Sequence, residues 1–156
     1  MSLLIRRAEP ADVPAMSAVL IAAITELCAA DHGSDPEKLA AWTRNKSMEG
    51  VAAMLANTDL IMLVAERAGS VVAVGAATRS GDIALNYVAP RARFTGVSKA
   101  LLAQLESELA GLGLGEARLE STATARQFYA DHGWIADGPQ AVGRKVNGFP
   151  MRKRLN

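Results

Sequence analysis

Tyr87-Val88-Ala89-Pro90-Arg91-Ala92-Arg93-Phe94-Thr95-Gly96-Val97-Ser98 is the stretch on which the reading of this chain turns. The β-like run Ile83 to Val88 enters it, and Pro90, which cannot donate to a sheet ladder, closes that strand. Beyond it Val97, Leu101, Leu102, Leu105 and Leu109 recur at helical spacing until Gly111 and Gly113 stop the helix. A strand therefore passes through a short loop straight into a helix N-terminus. Such a terminus has unpaired N–H groups and a partial positive charge, so an anion can sit on it. Gly96 has no Cβ to keep the backbone away from that anion, Ser98 is small and carries a hydroxyl, and Arg91 and Arg93 add positive charge. Taken alone, one glycine at a helix start is more often a plain turn residue. The segment lacks the Gly-Lys-Ser/Thr ending of a P-loop and the three glycines of a dinucleotide fingerprint.

Upstream, Leu60 to Glu66 and Val71 to Thr78 are two further apolar runs, with turns at Ala68-Gly69-Ser70 and Ser80-Gly81-Asp82. Turns that short predict an antiparallel meander, because parallel neighbours need a long crossover. Before the meander come a strand over Leu3 to Arg7 and a helix opened by Pro10 that carries Val13, Met16, Leu20, Ile24 and Leu27 on one face. Asp35 is placed to cap a helix from Pro36, and a further helix spans about Ser47 to Ala56. Downstream, a strand is expected over Ala117 to Glu120, a helix over Thr122 to His132, strands over Trp134 to Ala136 and Phe149 to Leu155, and a hairpin loop from Gly138 to Gly148. The fold class is mixed α/β, of the α+β kind.

The chain has 156 residues, half of them hydrophobic and 21% charged, a length and composition that fit one domain over residues 1–156. A net charge of +1 argues against broad nucleic-acid binding. Arg144, Lys145, Arg152, Lys153 and Arg154 read as a solvated basic edge. One cysteine, Cys28, allows no internal disulfide and suits a reducing compartment, and no secretory leader pattern is seen, so a cytoplasmic protein is expected. The longest apolar stretch, Met16 to Ala30, is interrupted by Ser17, Thr25 and Glu26 and reads as too short for a bilayer, so no membrane partner is expected. Two distant histidines and that cysteine make no metal motif, and no metal is expected.

Arg93-Phe94-Thr95-Gly96-Val97-Ser98 resembles the acetyl-CoA signature Gln/Arg-x-x-Gly-x-Gly/Ala of the GNAT N-acetyltransferase superfamily, with Ser98 departing from the usual Gly or Ala. A second block, Thr122 to Trp134, is similar to the family's other landmark: a small-residue helix start, the aromatic pair Phe128-Tyr129, then Gly133-Trp134. The resemblance spans nearly the whole chain and is weakest between Ala30 and Thr58. It implies a largely antiparallel central sheet flanked by helices. It also implies that acetyl-CoA is the cosubstrate, with its diphosphate held from Arg93 through Phe94, Thr95, Gly96, Val97 and Ser98 to Lys99 and its pantetheine paired with backbone at Tyr87 and Val88. In the family the position of Tyr129 protonates the departing thiolate, and the amide matched by Val88 serves the oxyanion. The alternative for Tyr129 is an ordinary packed aromatic.

A thioester is already activated, so an amine can attack it directly once it has lost its proton, and a base is needed. Asp82, at the start of the strand before the loop, is the first candidate, with plain turn chemistry as the competing account. Glu120 is another. Asn86 can position a water, while Glu26 and His32 read as solvent-exposed. Cys28 reads as a buried, inert thiol. Leu27 and Trp42 are candidates for the acceptor pocket, although Trp42 reads equally as an inward anchor of its helix. The expected function is N-acetyl transfer to a primary amine of a small molecule or peptide, and the resemblance, many of whose members are homodimers, makes a homodimer one of the expected partners. A non-catalytic acyl-CoA-binding regulatory module is the alternative.

Overall fold

The computed structural model describes residues 2–140 and 148–155. Strand β1, Leu3–Arg7, leads through a 3-10 turn at Pro10–Asp12 into helix α1, Val13–Leu27. Three shorter helices follow: α2, Ala29–His32; α3, Pro36–Thr43; and α4, Met48–Ala56. The meander is β2, Leu60–Arg67; β3, Ser70–Thr78; and β4, Ile83–Val88. The chain then forms α5, Val97–Gly111; β5, Glu116–Ser121; α6, Arg126–Asp131; β6, Ile135–Ala136; and β7, Phe149–Arg154.

Two antiparallel sheets result, ordered β1-β2-β3-β4 and β5-β7-β6. They meet at a single parallel bridge, Asp82 with Arg118. Both faces of β2 and β3 are buried, which is why these strands read as continuous apolar runs rather than alternating ones. On one face Met62, Val64, Val74 and Leu85 pack with Met16 and Leu20 of α1 and Val51 of α4. On the other Ile61, Leu63 and Val72 pack with Leu101, Leu105 and Leu109 of α5, with Leu119 and Met151 of the second sheet and with Trp134 just before β6. A Cβ on Gly75 would sit 3.0 Å from Leu105 Cδ1, so the missing side chain lets α5 lie close on β3.

Most expected elements form where the pattern places them. Asp35 caps α3 through Glu37 N at 2.9 Å, and Ser47 caps α4 through Gly50 N at 3.1 Å. Three expectations are corrected. The helix predicted over Thr122 to His132 begins only at Arg126, because the carboxylate of Asp31 takes hydrogen bonds from the amides of Ala123 and Thr124 and from Thr124 Oγ1, at 2.5, 3.3 and 2.7 Å. Thr122 Oγ1 accepts from Ala125 N at 3.1 Å, so side chains hold residues 123–125 as a turn ahead of the helix. His32, expected in solvent, is 1% exposed, with Nε2 on Ile24 O at 3.0 Å and Nδ1 accepting from Ser34 N at 2.9 Å. Pro10–Leu27 is long and apolar enough to cross a membrane by length and composition, contrary to the reading of its neighbourhood as too short. Here it is a core helix, with Val13, Met16, Leu20 and Ile24 buried. The Gly138 to Gly148 hairpin loop lies largely outside the described residues, as do Arg144 and Lys145.

Candidate active site

The site follows from how β4 and β5 part. They run side by side at Asp82 and Arg118, where Arg118 N donates to Gly81 O at 2.8 Å, and no ladder joins them further along among the described residues. The edge of β4 facing the gap is therefore left without a strand partner. Ala89 N donates to Val72 O at 2.7 Å on β3, and antiparallel alternation then turns the amide of Val88 to the opposite side, into the gap. The same alternation commits the backbone amide of Tyr87 to β3. Of the two residues expected to pair through their backbone, Val88 alone presents its amide to the gap.

A cleft of about 320 Å3 fills this gap. One end is the loop before α5. Gly96 is left-handed at φ 84°, and so is Phe94 at φ 64°, a conformation that costs a non-glycine residue about 1–2 kcal/mol. Two left-handed residues so close together curl the backbone at the head of α5. The first intrahelical bond runs from Ala100 N to Gly96 O at 3.1 Å, and no side chain caps the helix, so the amides of Val97, Ser98 and Lys99 have no helical acceptor. Arg93 lies over the ring of Phe94 at 4.5 Å, and both line the mouth of the cleft with Gly96, Val97, Ser98 and Lys99. Thr95 does not line it. Its hydroxyl donates to Ala92 O and accepts from Arg67 Nη1 at 3.1 Å, so it shapes the loop instead.

Tyr129 lines the other end, where α6 crosses the gap. It is buried against Phe128 and Trp134, and its hydroxyl accepts from Asn86 Nδ2 at 3.2 Å. Burial outweighs that hydrogen bond and pushes its pKa up to about 12. The phenol thus keeps its proton at neutral pH, and with Asn86 as donor that proton is directed elsewhere. Asn86 Oδ1 is buried in the same wall without a hydrogen-bond partner among the described residues, an acceptor held ready at a desolvation cost of about 1–3 kcal/mol.

Leu27 lines the cleft, and so does Cys28, whose thiol is pushed up to about 12, first by burial and then by Asp31. A thiol so raised stays protonated and unreactive. Asp82 is not among the lining residues. Its carboxylate accepts from Arg118 Nε at 3.2 Å and from Thr78 Oγ1 at 3.4 Å, so turn chemistry and the strand bridge account for it. Glu26 is exposed, and His32 has both ring nitrogens engaged. Trp42 is outside this cleft. It lines a second cavity together with Tyr87, a phenol whose pKa burial raises. Glu120, at the end of β5, lines both spaces.

The sequence reading missed the Asp31 clamp on the loop before α6. Two of its three partners are backbone amides, which leave no sequence signal, and the third, the Thr124 hydroxyl, lies 93 residues away. At the C-terminal edge Arg152 meets Glu116 at 3.6 Å and Asp137 at 3.5 Å, and Lys153 meets Glu106 at 2.7 Å, consistent with a paired basic edge rather than a phosphate site. Among the described residues no group of three His, Cys, Asp or Glu side chains is placed to hold a metal ion.

Residues 28–155 match the family described as acetyltransferase (GNAT) domain. The chain belongs to the GNAT acetyltransferase family. Solved structures share the fold along their whole length. A GCN5-related N-acetyltransferase from Rhodopseudomonas palustris superposes with a TM-score of 0.87 at 23% identity, covering 99% of this chain and 97% of that one. The PaiA N-acetyltransferase from Thermoplasma acidophilum, in complex with coenzyme A, gives 0.84 at 20% identity, covering 99% of each chain. The aminoglycoside 6'-N-acetyltransferase from Enterococcus faecium gives 0.74 at 17%, covering 98% of this chain and 97% of that one. No curated protein is significantly similar in sequence.

Proposed function

We propose that this GNAT protein transfers an acetyl group from acetyl-CoA to a primary amine by direct attack. The observation that carries this reading is the pair of ends of one cleft: uncapped amides at Val97 to Lys99 at its mouth, and the Val88 amide with the Tyr129 hydroxyl inside it. An N-terminus of that kind holds a diphosphate, and the open space around Gly96, where a Cβ would meet nothing within 4 Å, leaves room for it. The coenzyme complex of the PaiA relative supports the same occupant.

The chemistry then divides among the chain's residues. The neutral amine nitrogen attacks the thioester carbonyl carbon, the new C–N bond forms, the C–S bond breaks, and the acylated nitrogen releases its surplus proton to solvent. The Val88 N–H receives the developing negative oxygen. Tyr129 gives its proton to the leaving sulfur and regains one from solvent. Glu120 replaces Asp82 as the base that takes the proton from the ammonium, directly or through water, since it borders both the cleft and the cavity from which an acceptor would arrive. The unpaired Asn86 Oδ1 accepts an N–H in the loaded site.

Mixing the protein with acetyl-CoA and a panel of primary amines should release free thiol in proportion to the amine consumed. Binding of the coenzyme with no thiol release from any amine would leave an acyl-CoA-binding module in place of an enzyme.

A further inference from the structure

Beyond Tyr87 lies the second cavity, of about 420 Å3, which shares Tyr87, Glu120, Ser121 and Thr122 with the coenzyme cleft. The wall away from the cleft comes from the end of α3 and the turn after it: Trp42, Arg44, Asn45 and Lys46. Charge is divided between the two sides. Glu120 lines both the cavity and the cleft, while Arg44 and Lys46 line the cavity from the side of α3. Lys46 is buried at 7% exposure and donates to Asn45 Oδ1 at 2.7 Å, whereas Arg44 is exposed and makes no ion pair among the described residues.

We propose that this cavity is the acceptor site and that it selects primary amines whose far end is anionic, a carboxylate above all. The inference rests on the acetyl-transfer reading, because that reading puts the reacting amine at the junction. An ammonium arriving there is drawn to Glu120 before it loses its proton. The rest of the molecule then extends toward Arg44 and Lys46. A guanidinium pairs a carboxylate through two parallel hydrogen bonds, and Arg44, which makes no ion pair among the described residues, is placed to do so. A second cation at the far end meets two like charges. Polycationic acceptors such as aminoglycosides are therefore disfavoured, although a relative of the same fold acetylates them.

The test holds the amine and the chain length constant and varies only the charge of the tail. One set is 5-aminovalerate, pentylamine and cadaverine, and a shorter set is β-alanine, propylamine and 1,3-diaminopropane. With acetyl-CoA, kcat/KM should fall from anionic to neutral to cationic tail, by about tenfold or more across the set. Arg44→Glu should reverse the order while leaving acetyl-CoA affinity unchanged. 2-Aminoethylphosphonate distinguishes a preference for any anion from one for carboxylate. Equal rates for all tails, or a preference for the diamines, would overturn the inference while the transferase reading stood. The same sets read by melting temperature of the CoA-bound protein cover the case of no turnover. A ranking by tail charge there would uphold the anion-selective cavity and remove the transferase, and no ranking would remove both.

Discussion

Tyr129 is where burial and reactivity bear on one atom. A phenol raised to about 12 is a weak acid in water, but beside a departing thiolate it needs only to hold its proton until the C–S bond breaks. Tyr129→Phe should lower kcat by about a hundredfold, the lower range for losing a general acid, with acetyl-CoA affinity within about twofold. Equal losses of rate and affinity would assign Tyr129 to binding. The direction of the shift also sets a pH expectation: a raised pKa preserves the acid form, so kcat of the wild type should show no fall from tyrosine ionisation through pH 10. A tyrosine that lost its proton near its ordinary value of about 10 would produce one. The two tyrosines could not be ranked from sequence by environment, because what separates them is long-range: Asn86 of β4 donates to the Tyr129 hydroxyl, whereas Tyr87 shares the second cavity with Trp42 of α3.

Helix α5 carries the clearest element-scale prediction, since its head and its middle depend on glycines for different reasons. At the head, Gly96 is left-handed with open space around it, so Gly96→Ala meets no protein atom and is penalised by its φ alone. It should cost about 1–2 kcal/mol of stability and weaken CoA binding about tenfold or more, as the amides of Val97 to Lys99 turn away. In the middle, Gly75 of β3 lies under α5, and Gly75→Ala forces its methyl against Leu105 and Leu101 at 3.0 and 3.2 Å. That should cost about 1–3 kcal/mol in chemical denaturation without the specific loss of coenzyme affinity. The first glycine was legible because a strand, a loop and an apolar-periodic helix frame it, and the family resemblance rests on it. The second was not, because what it touches lies 26 and 30 residues away in sequence. The same distinction holds across the fold. Strands of the meander and the long helices follow from local periodicity, whereas the late start of α6, the burial of His32 and the displacement of Asp82 from the cleft follow from long-range partners.

At the scale of the molecule the question is what keeps two sheets apart by the width of a coenzyme without letting them drift. One end of the gap is closed by the Asp82–Arg118 bridge and its ion pair at 3.2 Å. The shared core of Leu119, Trp134 and Met151 with α5 holds the two sheets from one side. On the other side Asp31, just beyond α1, grips the loop at Ala123 and Thr124 with a carboxylate that accepts from two amides and a hydroxyl. This is the one described tie joining the helical segment before the meander to the loop that positions Tyr129, and it spans more than ninety residues of sequence. Asp31→Ala should lower stability by about 1–2 kcal/mol, allowing for partial exposure of charge-assisted hydrogen bonds, or roughly 3–6 °C in Tm. If the clamp sets the cleft width, the same variant should reduce kcat more than Asp82→Ala does, although Asp82 is also ion-paired and also borders the gap. A variant at Asp31 that lost stability but kept full kcat would show that the loop finds its place from the packing of α6 alone, and that the clamp only secures it.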